Sequence, residues 1–136
     1  MTQVAVKAVR SVDLAVDDLD AARMFFTDVW HLDVVAEERG IVYFRATGAH
    51  FHVLSLRAAS AGDAGLIRIV LQADDRLATD RIYEHVLSRS QVVDGAPRPI
   101  RGPGGGYGFG FKDPEGRNFA VVSDVAEHAD RAPRAD

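Results

Sequence analysis

The chain has 136 residues and a formal charge of −4, from 16 Lys+Arg against 20 Asp+Glu. That length suits one domain or two small modules sharing a core, and a chain near ~150 residues buries roughly 68–70% of its unfolded surface, so no disulfide or structural metal is needed for stability. A composition of 47% hydrophobic and 26% charged residues excludes disorder, and the lack of Cys excludes a disulfide scaffold, a thiolate zinc site and a cysteine nucleophile.

Val12, Leu14 and Val16 alternate along Ser11-Val12-Asp13-Leu14-Ala15-Val16, the period of a half-buried strand. Asp17-Asp18 offers side-chain oxygens for a helix N-cap, and Ala22, Phe25, Phe26, Val29 and Leu32 follow as an apolar helical stripe. Asp33-Val34-Val35 leaves that helix. Ile41–Arg45 reads as a strand, Thr47-Gly48 as a turn and Phe51–Leu56 as the next strand. The small, Gly-containing stretch 58–65 reads as a linker. A strand over 66–72 and a helix over about 76–89 follow. Residues 94–106, rich in Pro and Gly, read as a long loop. Tyr107-Gly108-Phe109-Gly110-Phe111 alternates aromatic with glycine, the pattern of a strand. Asp113-Pro114-Glu115-Gly116 is a strong β-turn signal, and 119–123 is the last strand. The polar tail from Asp124 reads as a frayed helix or a linker.

The two halves repeat each other. At an offset of 57 (68 − 11), Val12 meets Ile69, Leu14 meets Leu71 and Asp17-Asp18 meets Asp74-Asp75. Past the long loop an offset of 68 (116 − 48) sets Gly48 on Gly116, Phe51 on Phe119 and Val53 on Val121. Two copies of a strand-helix-strand-strand(-strand) module follow, over about 8–57 and 66–124 of a single domain, with 125–136 as tail or linker.

The stretch from Ser11 to Phe26 resembles the opening of vicinal oxygen chelate proteins, the superfamily of glyoxalases, bleomycin-resistance proteins and extradiol dioxygenases. Lys112-Asp113-Pro114-Glu115-Gly116-Arg117-Asn118 resembles their closing turn. His50–Leu56 and Gly104–Phe111 look most similar to the extradiol dioxygenase branch. There an enzyme holds two such double modules, the N-terminal one without metal, and this chain resembles that N-terminal half. The resemblance implies an α+β fold in which two βαβββ modules form a curved mixed-sheet cup around a cleft.

It also implies where metal ligands would stand, on the first and last strands of each module. The repeat sets those positions at Ser11 and Arg68, and at His52 and Ala120. Only His52 of these binds a divalent metal readily; Arg68 is a fixed cation, Ala120 has no donor, and a lone serine is a poor ligand. No cofactor is therefore expected. Fe, Mn, Ni or Zn enters only under an alternative, with a relocated site such as His50, His52 and Asp13 or a second metal-bearing domain. The expected ligand-binding cleft comprises Ser11, Asp13, His50, His52, Arg68, Tyr107, Phe109 and Ala120. Arg68 either anchors a carboxylate or phenolate or pairs with Asp13. Tyr107, Phe109 and Phe111 share one face, as a platform for a planar ligand or as packing against a dimer partner.

The leading expectation is a metal-independent member of the superfamily that binds a small aromatic or amphipathic molecule as a homodimer. A dioxygenase- or glyoxalase-type metalloenzyme and a purely structural domain are the alternatives. The acidic balance argues against nucleic-acid and anionic-membrane partners, and no apolar run approaches the ~18–20 residues that span a bilayer. The N-terminus lacks the features of a secretory signal, so a cytoplasmic location is expected.

Overall fold

A computed structural model describes residues 5–130. Over these residues eight strands and two helices form an α+β fold in which each half runs βαβββ. The first half comprises β1 (Ala8–Val16), α1 (Leu19–Asp28), β2 (Asp33–Glu38), β3 (Ile41–Arg45) and β4 (Leu54–Ala58). The second comprises β5 (Gly65–Gln72), α2 (Arg76–Ser88), β6 (Arg98–Pro99), β7 (Tyr107–Lys112) and β8 (Asn118–Ser123).

The chain divides into two compact units, and each exchanges a terminal stretch with the other half of the sequence. Over the described residues, one unit joins 5–10 with Arg68–Val125; the other joins Ser11–Ile67 with 126–130. In the unit built on the first half the strand order is β2-β3-β4-β1, with β1 and β4 parallel and the other pairs antiparallel. In the other the order is β5-β8-β7-β6, with β5 and β8 parallel. There the opening residues lie along β5, where the Lys7 N–H donates to the Gln72 carbonyl at 2.6 Å.

Local chemistry explains the elements. Asp18 and Asp75 cap the two helices, their carboxylates accepting the N–H of Ala21 at 2.9 Å and of Ala78 at 2.8 Å. The β2–β3 hairpin turns on Arg39 and Gly40, both at positive φ, which matches the right-handed twist of the strands. At the closing turn the Asp113 carboxylate accepts the N–H groups of Glu115 and Arg117 and the Arg117 guanidinium, while Gly116 sits at φ +84°. Val12, Leu14 and Val16 pack with Leu19, Ala22, Phe26 and Leu32 of the α1 region over Phe44, Leu54 and Leu56. The second core repeats the plan with Ala78 and Ile82 of α2 over Phe109 and Val121.

Several expectations need correction. The βαβββ module implies a strand after each helix, and β2 and the short β6 are those strands; the residue pattern alone does not mark 33–38 as a strand, and β6 lies inside the expected loop 94–106. The strand expected over Phe51–Leu56 starts only at Leu54. Of the α1 stripe, Phe25 and Val29 are exposed, because the helix turns only the Ala22–Phe26 side to the sheet. The tail is neither helix nor loose linker over its described part: Glu127 forms a β-bridge with His50. Residues 131–136 lie outside the described residues.

The repeat offset of the last strand also changes. In register, Val12 pairs with Leu54 and Ile69 with Phe119, so the last strands correspond at an offset of 65 (119 − 54), not 68. Ala120 therefore corresponds to Ser55, and His52 precedes β4 altogether.

The glycines of β7 follow from crowding. A Cβ on Gly108 would lie 2.2 Å from the Val121 carbonyl oxygen, a backbone atom that cannot step aside. Gly108→Ala is expected to lower stability by about 1–3 kcal/mol in urea unfolding. Gly48→Ala, where a Cβ meets nothing within 4 Å, is expected to change it by about 0.5 kcal/mol or less.

Candidate functional site

The strand period sorts the first half into two faces. Val12, Leu14 and Val16 of β1 turn to α1, so Ser11, Asp13 and Ala15 turn to the opposite side. Leu54 and Leu56 of β4 likewise leave Ser55 and Arg57 on that side, and Val42 and Phe44 of β3 leave Tyr43 there. The register sets Asp13, Ser55 and Tyr43 in one cross-strand row, with Arg57 beside Ala15 in the next. The Ser55 hydroxyl donates to the Asp13 carboxylate at 2.6 Å, with both residues buried. Tyr43 meets the His52 ring edge-on at 5.1 Å between centroids. Burial pushes the Tyr43 phenol above its ordinary value; the Arg57 charge opposes this, and Asp13 and Glu38 add to it.

The expected site residues divide between the two units. Ser11, Asp13, His50 and His52 belong to the first; Arg68, Tyr107, Phe109 and Ala120 belong to the second. Ser11 and Asp13 lie buried on the helix-opposite face. In the second unit Ala120 pairs with Val70 and Gly110, and this row corresponds to Ser55, Asp13 and Tyr43 in the first. The polar chemistry of the row is thus confined to the first half. Above Gly110 lies Asp94, which accepts the Gly110 N–H at 2.8 Å and two Arg98 N–H groups at 2.9 Å each. The Arg98 bonds foremost hold the Asp94 carboxyl below its usual range against desolvation, and the Gly110 N–H and the charge of Arg68 contribute.

Tyr107 and Phe109 do not share a face with Arg68 and Ala120, which corrects the aromatic platform. Phe109 is buried against Ala78 and Ile82 of α2, with Tyr83 edge-on at 5.3 Å. The Tyr107 hydroxyl donates to Asp80 of α2 at 2.5 Å, with the Arg76 guanidinium over its ring. The aromatic period is that of a helix-facing core row, so the strand is not the open apolar surface that a dimer contact would require.

Sequence reasoning also missed three features. Ser55, Tyr43 and Arg57 escaped notice because the offset of 68 drew attention to His52. The tail straps the segment before β4: the His128 N–H donates to the Ala49 carbonyl at 2.9 Å, His128 Nε2 donates to the Phe51 carbonyl at 3.0 Å, and the His128 ring stacks on Phe51 at 5.0 Å. Arg45 adds a bond to the Ala129 carbonyl at 3.0 Å. A groove of about 350 Å³ lies between the start of α1 and the β2–β3 hairpin, where Arg23 pairs with Glu37.

Two outcomes follow from this face. Ser55→Ala takes a hydrogen bond from buried Asp13 and is expected to cost about 1–3 kcal/mol in urea unfolding. The raised phenol of Tyr43 favours the protonated form in the fold. Its stabilisation is complete below the ordinary phenol value of about 10 and is lost as pH rises through the higher folded value. Alkaline difference absorbance should show a late-titrating phenol that disappears in Tyr43→Phe and moves later still in Arg57→Gln. A Tyr43 component titrating with free phenols would contradict the assignment.

The model for the Glyoxalase/Bleomycin resistance protein/Dioxygenase superfamily matches residues 8–121. Comparison with curated proteins finds no match. Among solved structures, a Mn(II)-bound glyoxalase from Novosphingobium aromaticivorans superposes with a TM-score of 0.87 at 38% identity, over 95% of this chain and 42% of that one. Homoprotocatechuate 2,3-dioxygenase from Brevibacterium fuscum, in complex with 3,4-dihydroxyphenylacetate, gives a TM-score of 0.81 at 20% identity over 92% and 39%. The 2,3-dioxygenase LapB from Pseudomonas sp. KL28 gives 0.81 at 14% identity over 96% and 47%. This chain spans less than half the length of each. The expectation of no cofactor is overturned here, since the likeness to a Mn(II)-bound glyoxalase points to a divalent metal. Among the described residues no three His, Cys, Asp or Glu side chains are grouped to hold an ion. The match over most of the chain and the paired βαβββ halves place this protein in the glyoxalase/bleomycin resistance/dioxygenase superfamily.

Proposed function

We propose that this chain is one double module of a divalent-metal-dependent, glyoxalase-type enzyme, in which a second double module holds the metal site. The observation that carries the reading is the 38% identity, over nearly the whole chain, to a Mn(II)-bound glyoxalase more than twice as long. The positions corresponding across the two halves support it. They hold Asp13 with Ser55 in one half and Val70 with Ala120 in the other, too few donors for a metal that takes about three protein ligands. What this chain supplies is the polar row of its first half, Asp13, Ser55 and Tyr43, which sets donors and acceptors side by side on one face. The dioxygenase reading rests on likeness of fold at 20% identity or less in the two enzymes compared.

The test uses the protein purified from the cells that make it, as a single chain or an assembly. It should contain a divalent metal and convert a 2-oxoaldehyde–thiol adduct. A chelator should abolish the conversion, and Mn(II) should restore it. Conversion that survives complete metal removal, or no conversion by the metal-loaded protein, would contradict the proposal.

A second reading, a two-fold homodimer, draws on a different observation. Met24, Phe25, Val29 and Trp30 stand exposed on and just beyond α1, an apolar surface of the kind that marks an interface. Light scattering on the 136-residue chain would return twice the monomer mass if that face joins two copies. A monomer mass at every concentration would contradict it.

A further inference from the structure

Arg57 stands on the helix-opposite face of β4, beside Ala15, which offers no side-chain acceptor. Its Nε is buried and has no hydrogen-bond partner among the described residues. A second buried and unpartnered polar atom on the same face of this unit is Ser11 Oγ. An unmatched donor on a guanidinium is costly, since the group keeps its charge at every working pH and loses water without gaining an acceptor. A packed aliphatic side chain at this position would avoid that cost. The nearest acid along the strands, Asp13, already accepts the Ser55 hydroxyl. Tyr43 lies close enough for Arg57 to be the foremost charge acting on its phenol, and the rings of Tyr43, His52 and Phe51 follow one another edge to face, at 5.1 and 6.3 Å. A fixed cation with a free donor thus stands next to planar apolar surface.

We propose that Arg57 forms an anion site on this face, taking the carboxylate of a small aromatic acid whose ring packs against Tyr43 and His52. The planar fork of the guanidinium matches a carboxylate with two parallel N–H···O bonds, and the ring supplies contact that a free inorganic anion lacks. The site does not rest on the metal reading proposed above. It also differs from the anion role expected for Arg68, which belongs to the other unit.

Benzoate is the probe, with benzyl alcohol as its uncharged counterpart, read by thermal shift and titration calorimetry on the intact chain. Benzoate should raise the melting temperature of the wild type, because a ligand that binds only the native state stabilises it. Benzyl alcohol should not. Arg57→Gln should weaken benzoate roughly tenfold or more, the loss of a charge-assisted contact. Arg57→Lys, which keeps the charge but loses the fork, should fall between. Arg68→Gln should bind as the wild type does. No shift of the wild type at ~10 mM benzoate overturns the proposal. So does equal affinity in Arg57→Gln, or a loss seen in Arg68→Gln instead. Should Arg57→Gln fail to fold by circular dichroism, Arg57→Lys decides: unchanged affinity in that variant overturns the site.

Discussion

The parallel pairing of the first and last strands in each half is the constraint on which the rest depends. Val12 against Leu54 and Ile69 against Phe119 fix the register, and with a side-chain period of two that register decides every facing. It sends Leu54, Leu56 and Val121 to the helices and Ser55, Arg57 and Ala120 to the other side. A slip of one residue would turn Ser55 and Asp13 toward α1 and carry the core residues to the opposite, polar face. The Ser55–Asp13 hydrogen bond at 2.6 Å locks the register from the polar face, because only one alignment lets the hydroxyl reach the carboxylate.

Much of the fold was legible because its signals are local. Alternation along β1, Asp caps at both helices and the Asp113–Gly116 turn each depend on neighbours within a few residues. The repeat was legible for its first strand and helix, where no insertion intervenes between the copies. Its last strand was misaligned by three residues. Matching Gly48 to Gly116 aligned two turns that differ in kind: Gly116 closes the tight turn into β8 at positive φ, whereas Gly48 opens an irregular stretch that runs on to Val53.

The site was less legible, for a related reason. His50 and His52 attracted attention by residue type, but their segment is strapped at Ala49, His50 and Phe51 by the tail, far away in sequence. His128 on Phe51 and Glu127 on His50 are contacts that no local pattern announces. The Tyr107–Phe109 row looked like a platform because aromatic alternation does not say which face meets a helix. Asp80, Tyr83 and Ile82 of α2 answer that question by meeting it. Arg57 was silent in the sequence, being one of many arginines until burial singled out its Nε.

The proposed function holds that this double module contributes a polar face to a metalloenzyme while the metal is ligated elsewhere. Anomalous diffraction at the manganese edge from crystals of the natively purified protein, grown with Mn(II), tests it most directly. The account predicts an ordered manganese coordinated by side chains outside residues 5–130 of this chain. A manganese coordinated by Asp13, His50 or His52, or by any three side chains of this double module, would contradict it.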